Sequence, residues 1–524
     1  MPFLLMVFLV LVCLPEPEVW ATWKPLWTDS PLACLTATWL TVLLAGLHAY
    51  FVARRVRGPL VSEPSRREQL LARYERGRWR QQISLFGLYV LALLGLGWGW
   101  AVSQLWRYHT TPLPGAELLV LSPFVAAQLL AWTAYYDAER ASHQSAHRLL
   151  AEAHGGGWLE LERSRTAVPA SFGSRASYVL FQLRQKLALA FLPVMLLLVA
   201  KELQRLFPED WQQSIKAVHF LSSVPVMVVF AALPWVVRLV LGLKPLPKGP
   251  LRRRLEASAR RLRFRCSNIL VWNTRNGMAN AMVIGIVPWV RYVIFTDRLL
   301  EDFTPEEIEA VFGHEAGHIR HNHMLYYFGF LMASMIVLFW LITEAILPYF
   351  GPDLSVSSNH SSDLVSAVAL VAVLLAYIFV VFGYLSRRCE RQADVFGCRA
   401  VSCASPCCEG HDKEVDFAQR GLGLCSTGIN TFIRALDKVA AVNGISRDRP
   451  GFLQSWQHGS IGRRVDFLQQ MLLDPGVEKR FQRRIFLFKA TLLLVLGGAV
   501  AFILLQESKT PPPVEQAART SQQR

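Results

Sequence analysis

A chain of 524 residues has room for several soluble domains, but a mean hydropathy of +0.29 and an apolar share of 52% exclude an ordinary soluble protein. Charged residues are 18% of the total and stand in clusters between long apolar runs, as in a polytopic helical membrane protein and unlike a barrel with its short alternating strands. The net charge of +16 is read as loop placement beside membrane spans; with no aromatic-interleaved basic module and no Cys/His finger spacing, nucleic acid is not expected as a partner.

The opening run "MPFLLMVFLVLVCL" is either an extra span or a signal peptide: it lacks a basic start, while "VWA" ending at Ala21 fits a cleavage site. Apolar stretches long enough to cross a bilayer follow at about 33–53, 82–106, 114–137, 186–206, 214–242, 324–349, 364–386 and 485–506. One orientation satisfies every loop. With "ARRVR" (53–57) inside, the segments 54–81, 138–185, 243–323 and 387–484 are all rich in Arg and Lys, whereas the outer loop 351–363 has neither. The expected organisation is a multi-span region (1–242), a cytoplasmic linker with edge strands and a motif helix (243–323), a transmembrane hairpin (324–386), a second cytoplasmic region (387–484), and a last span with a disordered tail (485–524). Within it, 243–265 reads as a Pro-rich linker and a basic amphipathic helix, which favours a bilayer with anionic headgroups. Six of the nine cysteines (389, 398, 403, 407, 408 and 425) lie in the second cytoplasmic region, in no standard zinc spacing, and are expected as thiols.

The segment "VFGHEAGHIRHNHM" (311–324) carries the chemistry. Its helix is expected to start at Thr304, with Pro305 in the first turn and Glu307 completing a capping box. Four residues turn through about 400° in a helix, so His314 and His318 stand one above the other, close enough to share an ion. Glu315, offset by about 100°, cannot easily join them but can serve as general base for a hydrolytic water. His143 and His147 repeat the spacing without the glutamate or the cap and read as a solvated face; His321 and His323 read as interfacial or supporting groups.

A catalytic zinc requires three protein ligands and one open position. In "SRRCERQADVFG" (386–397), Glu390 and Asp394 lie one turn apart at the inner mouth of the span ending near 386, and the hairpin brings that mouth beside the one that follows His318. Glu390 is therefore the expected third ligand. Asp394 is the expected outer carboxylate, accepting from the free N–H of a ligand imidazole.

Together, "HEAGH", two spans, and the Ser386-Arg387-x-x-Glu390-x-x-Ala393-Asp394 pattern resemble the membrane gluzincin family of the CAAX prenyl endopeptidases and the bacterial heat-shock protease HtpX. "ANAMVIGIVPWVRYVIFTDRLL" (279–300) adds to the resemblance, which covers about 250–470. It implies a mainly α fold, a polytopic helical membrane protein with a small cytoplasmic α+β zincin-like lobe. It further implies that Asn280 and Ala281 border the cleft on an edge with which an extended substrate pairs, and that His458 and Arg464 of "HGSIGRR" contact the substrate or the oxyanion. The expected activity is that of a zinc metalloendopeptidase with one catalytic Zn2+, in a bacterial inner membrane with its site facing the cytoplasm. Substrates are either membrane proteins undergoing turnover or lipidated or tagged peptides. A transporter and a catalytically inactive scaffold are the rivals, and nothing in the sequence fixes an oligomeric state.

Overall fold

A computed structural model describes residues 23–62, 66–107, 116–153, 173–188, 191, 195, 198–199, 232–275, 277–340, 376–403, 424–443, 445–448, 457–474 and 476–509. The opening apolar run, the span at 186–206 beyond these residues, most of 214–242, the tip of the expected hairpin, Cys407 and Cys408, and the C-terminal tail lie outside them. The chain forms two compact units, Met1–Leu243 and Lys244–Arg524.

The first unit is helical: α1 (Pro31–Ser62), α2 (Arg67–Val90), α3 (Trp98–Arg107), α4 (Ala116–Ala153), α5 (Arg175–Gln182) and α6 (Ala232–Leu241). Pro31–Leu60 and Leu118–Ser142 are long and apolar enough to cross a membrane. The stretch expected as one span at 82–106 is instead bent by 50° between Gln69–Gly95 and Trp98–Gln104. The bend falls at Gly97, whose φ of +78 is a left-handed conformation open to glycine and strained for other residues. Two buried donors of this unit share one acceptor, as a low-dielectric setting favours: Tyr89 Oη and Trp98 Nε1 both donate to the Val120 carbonyl, at 2.8 and 3.0 Å.

The second unit combines helices with a small mixed sheet. Its strands are β1 (Lys244–Pro245), β2 (Asn268–Trp272), β3 (Ala281–Ile284) and β4 (Tyr292–Thr296), in the order β1-β2-β4-β3. β4, "YVIFT", is buried throughout and pairs parallel to β2 and antiparallel to β3. β3 is an edge strand, with no partner on its outer side among the described residues. Around the sheet lie α7 (Pro250–Arg261), α8 (Asp297–Asp302), α9 (Pro305–Arg320), α10 (His323–Trp340), α11 (Gly383–Val401), α12 (Ser426–Val442), α13 (Ile461–Leu473) and α14 (Gly476–Lys509). Gly476–Ile503 is a third helix of membrane-crossing length and composition among the described residues, and its Leu494 and Val495 are exposed as lipid-facing residues would be.

α9 begins as expected: the Thr304 hydroxyl accepts from Glu307 N at 3.3 Å, and the Glu307 carboxylate accepts from Thr304 N at 3.0 Å. α7 is tied to it by a buried carboxylate, Glu309, which receives Arg254 at 2.7 Å, Arg261 at 3.2 Å and the Ser258 hydroxyl. A buried carboxylate with three donors is satisfied; with one removed it becomes a liability.

The crossing of α9 on α11 sets the site. A Cβ on Gly313 would overlap that of Ala400, and one on Gly317 would stand 3.0 Å from Phe396 Cβ and 3.1 Å from Ala393 Cα. Glycines four apart thus leave a groove on α9 into which the small residues Ala393, Gly397 and Ala400 of α11 fit. We predict that Gly313→Ala lowers the thermal unfolding midpoint in detergent, by overpacking worth about 1–3 kcal/mol, although alanine is the better helix former. Gly329→Ala, where nothing lies within 4 Å, serves as the control and leaves the midpoint unchanged or raised. A Gly313→Ala variant as stable as the control would contradict the close crossing.

Candidate active site

Because His314 and His318 directly follow Gly313 and Gly317, the tight helix contact turns both imidazoles toward α11. Their Nε2 atoms are 3.2 Å apart. Glu390, 4% exposed, places Oε2 3.6 Å from His314 Nε2 and Oε1 3.6 Å from His318 Nε2. Among the described residues these three are the group that could hold a metal ion, each offering one ligand atom and all within 4.8 Å of one another. Two neutral nitrogens and one carboxylate oxygen, with a fourth direction left toward a cleft, are the donor chemistry of a catalytic zinc site.

The outer face of each imidazole is fixed differently. Asp394 Oδ1 lies 2.9 Å from His314 Nδ1, a close but poorly aligned contact. Asp394 is itself fully buried and held by Arg464, with Nε to Oδ2 at 2.8 Å and Nη2 to Oδ1 at 2.5 Å. Behind His318 stands His323 on α10, Nδ1 to Nδ1 at 3.1 Å, and His323 Nε2 is 3.0 Å from Gln392 Oε1. Lys489 Nζ donates to the same oxygen at 3.1 Å, and Gln392 Nε2 donates to Gln482 Oε1 at 2.7 Å. The Lys489 ammonium can only donate, so the proton positions follow in order. Gln392 turns its oxygen inward, His323 donates from Nε2 and accepts at Nδ1, and His318 must donate from Nδ1. The lone pair of His318 Nε2 is therefore directed at Glu390 and the cleft.

The two rings differ in charge preference. Burial lowers the His318 pKa to about 4, keeping the ring neutral and free to coordinate. Burial would lower His314 as well, but its contact with Asp394 outweighs it and raises the pKa. Burial opposes ionisation of Glu390; the surrounding His458, His318 and His314 overcome it and hold the carboxyl well below the usual range. Glu315 is raised, chiefly by burial and further by Glu390, against His314, His458 and the Val283 N–H that it accepts. A carboxylate with an elevated pKa beside the ligand group is suited to taking up and returning a proton.

The site opens into a cleft of about 750 Å³ bordered by Asn280, Ala281, Glu315, His458 and Arg464. Just before β3, Asn280 pairs with β4 through Thr296 N to Asn280 O at 3.0 Å, so by alternation Ala281 and Val283 direct their backbone groups outward. Val283 N–H is occupied by Glu315, and Ala281 faces the cleft. His458 Nδ1 is 3.1 Å from Glu390 Oε1, with its side chain 59% exposed at the rim. Arg464 commits two nitrogens to Asp394 and holds Nη1 3.7 Å from Glu390 Oε2.

Several supporting residues carried no recognisable signal in the sequence. Gln392, Gln482 and Lys489 are separated from His323 by a long stretch of chain, and only the fold joins them. Asn443, at the end of α12, clamps Ala279 through both N–H (2.9 Å) and C=O (2.8 Å), fixing the entry to β3. Phe432 stacks on the His314 ring at 5.9 Å and 22°.

Two imidazoles and a carboxylate beside an open strand edge are the kind of donor set that metallopeptidases use. Residues 245–469 match the model of peptidase family M48. It is similar to a protease HtpX homolog of Pyrobaculum calidifontis, 29% identical over 224 residues, 41% of this chain and 62% of that protein. It is also similar to the CAAX prenyl protease 1 homolog of Arabidopsis thaliana, 29% identical over 187 residues, 34% of this chain and 43% of that one. The chain thus spans less than two thirds of the length of these relatives. The crystal structure of S. mikatae Ste24p aligns with a TM-score of 0.44 and 15% identity, covering 84% of this chain and 99% of the other.

Replacing His323 with Phe removes the acceptor for His318 Nδ1–H, and zinc affinity measured by chelator competition is expected to fall by about 10–100-fold. Unchanged affinity would show that the His323 chain does not orient the ligand.

Proposed function

We propose that the protein is a zinc-dependent integral-membrane endopeptidase that cleaves peptide bonds in membrane-associated or membrane-protein substrates at the cytoplasmic face. The observation that carries this reading is the convergence of His314, His318 and Glu390 to within 4.8 Å at the floor of a cleft walled by a strand edge. Zinc bound by these three would polarise a water and the scissile carbonyl. The outward backbone groups at Ala281, with Asn280 at the strand's start, hold an extended substrate by strand addition. Glu315 takes the proton from the attacking water and delivers it to the leaving amine. His458 at the rim and Arg464 Nη1 are placed to donate to the developing oxyanion, while the rest of the Arg464 guanidinium keeps Asp394 ionised against His314.

The cytoplasmic side follows from the Arg- and Lys-rich segments that contain all of these residues, as does attraction to anionic headgroups. A site close to the ends of membrane helices suits segments emerging from the bilayer, which favours turnover of membrane proteins. Processing of lipidated or tagged peptides is the second reading, favoured by the printed name of the Arabidopsis relative. A transporter is disfavoured because the group lies beside the expected span ends near 324 and 386 rather than mid-membrane, and an inactive scaffold because the chain retains Glu315 and all three donors.

Glu315→Gln tests the assignment. It keeps every ligand and removes the base, so zinc content is expected to match wild type while cleavage of a casein or peptide substrate falls by about 10²–10⁴-fold. Cleavage retained near the wild-type rate would remove Glu315 from the mechanism.

A further inference from the structure

Beside the cleft lies a second cavity of about 230 Å³, which shares His458, Gly459 and Arg464 with it. Its character is different. Arg387, Arg388 and Arg391 from the first turns of α11 and Arg463 from the start of α13 line it, and no described lining residue is acidic. Arg387 and Arg391 are four apart and Arg388 and Arg391 three apart on one helix, a spacing at which like charges repel. Two of the cations lie over aromatic rings: Arg388 over Tyr384 at 5.1 Å and Arg391 over Phe467 at 5.4 Å. The nearby buried carboxylate, Asp394, is taken bidentately by Arg464. Gly459, with a φ of +76, forms the turn shared by the two cavities and packs its Cα side against the Arg387 stem. Converging guanidinium groups in a concave site match the planar, bidentate geometry of a carboxylate.

We propose that this pocket is a substrate subsite for a carboxylate, and that the protein selects peptides carrying an acidic group on the side of the scissile bond that passes His458. The inference rests on the peptidase reading above, since the pocket gains its meaning from continuity with the cleft. A segment lying along β3 and leaving past His458 reaches the arginines directly, so the group bound there is part of the substrate. The carboxylate comes either from an Asp or Glu side chain or from the substrate's own C-terminus.

The test uses the full chain in detergent or neutral-lipid nanodiscs and quenched-fluorescent peptides in matched sets: Asp against Asn at each position flanking the cleaved bond, and free carboxylate against amide at the C-terminus. For wild type, one acidic position or the free terminus is expected to raise kcat/KM by about tenfold, and which of the two does so identifies the source. In Arg387→Gln/Arg463→Gln that ratio, taken on one preparation, falls to about one through KM; Arg387→Lys/Arg463→Lys retains much of it. Equal cleavage of all matched peptides by wild type would overturn the subsite while leaving the peptidase reading intact. An acidic preference unchanged in the Gln variant would also overturn it. Loss of binding to phosphatidylglycerol vesicles without any change in the peptide ratio would assign the arginines to lipid instead. Failure of wild type to cleave any peptide, neutral ones included, would remove the peptidase reading and this inference with it.

Discussion

The site depends on how closely α9 and α11 cross. Two glycines one turn apart let the helices approach to backbone contact, and the residue after each glycine is a histidine, so the same packing that closes the groove directs both imidazoles at the carboxylates of α11. Glu390 and Asp394 have the same one-turn spacing there. A wider crossing would leave the histidines paired with each other and the glutamate out of reach. Packing precision and donor geometry are therefore one constraint, and the buried Glu309 cluster and the capping box add to it by fixing where α9 begins and how it lies against α7.

Around that crossing the two histidines are not supported alike. His314 backs onto a charged pair, Asp394 and Arg464, whose attraction is strengthened by burial. His318 backs onto a chain of His323, Gln392 and Gln482 that reaches the Lys489 ammonium and runs from α10 to α14. The first raises the basicity of its ring; the second fixes a tautomer. Together they leave both Nε2 lone pairs pointing into one small volume, an arrangement that costs repulsion when the volume is empty and is relieved by a cation.

Much of this centre was legible in the sequence. The HEAGH spacing, the Thr304 cap and the Glu390/Asp394 pair all rest on helical periodicity, which a sequence displays directly. The pairing of α9 with α11 was argued from a transmembrane hairpin whose tip, 341–375, lies outside the described residues; the structure supplies a different and local cause, the glycine groove, whose small-residue spacing was present in "GHEAGH" and "ADVFGCRA". What could not be read were contacts between segments far apart in the chain: Asn443 clamping Ala279, Lys489 completing the His318 support, and the arginines of α11 meeting Arg463. Such contacts carry no local periodicity. The bend at Gly97 also escaped, because hydropathy reports how apolar a stretch is and not whether it is straight.

The proposed peptidase stands on one cation shared by His314, His318 and Glu390, side chains from two helices far apart in sequence. Metal analysis of the purified full chain against Glu390→Ala, both checked for folding by their thermal transitions, tests it most directly. The account predicts about one zinc per wild-type chain and a large loss in the variant, as removal of one of three ligands demands. Equal zinc in the two samples would contradict it.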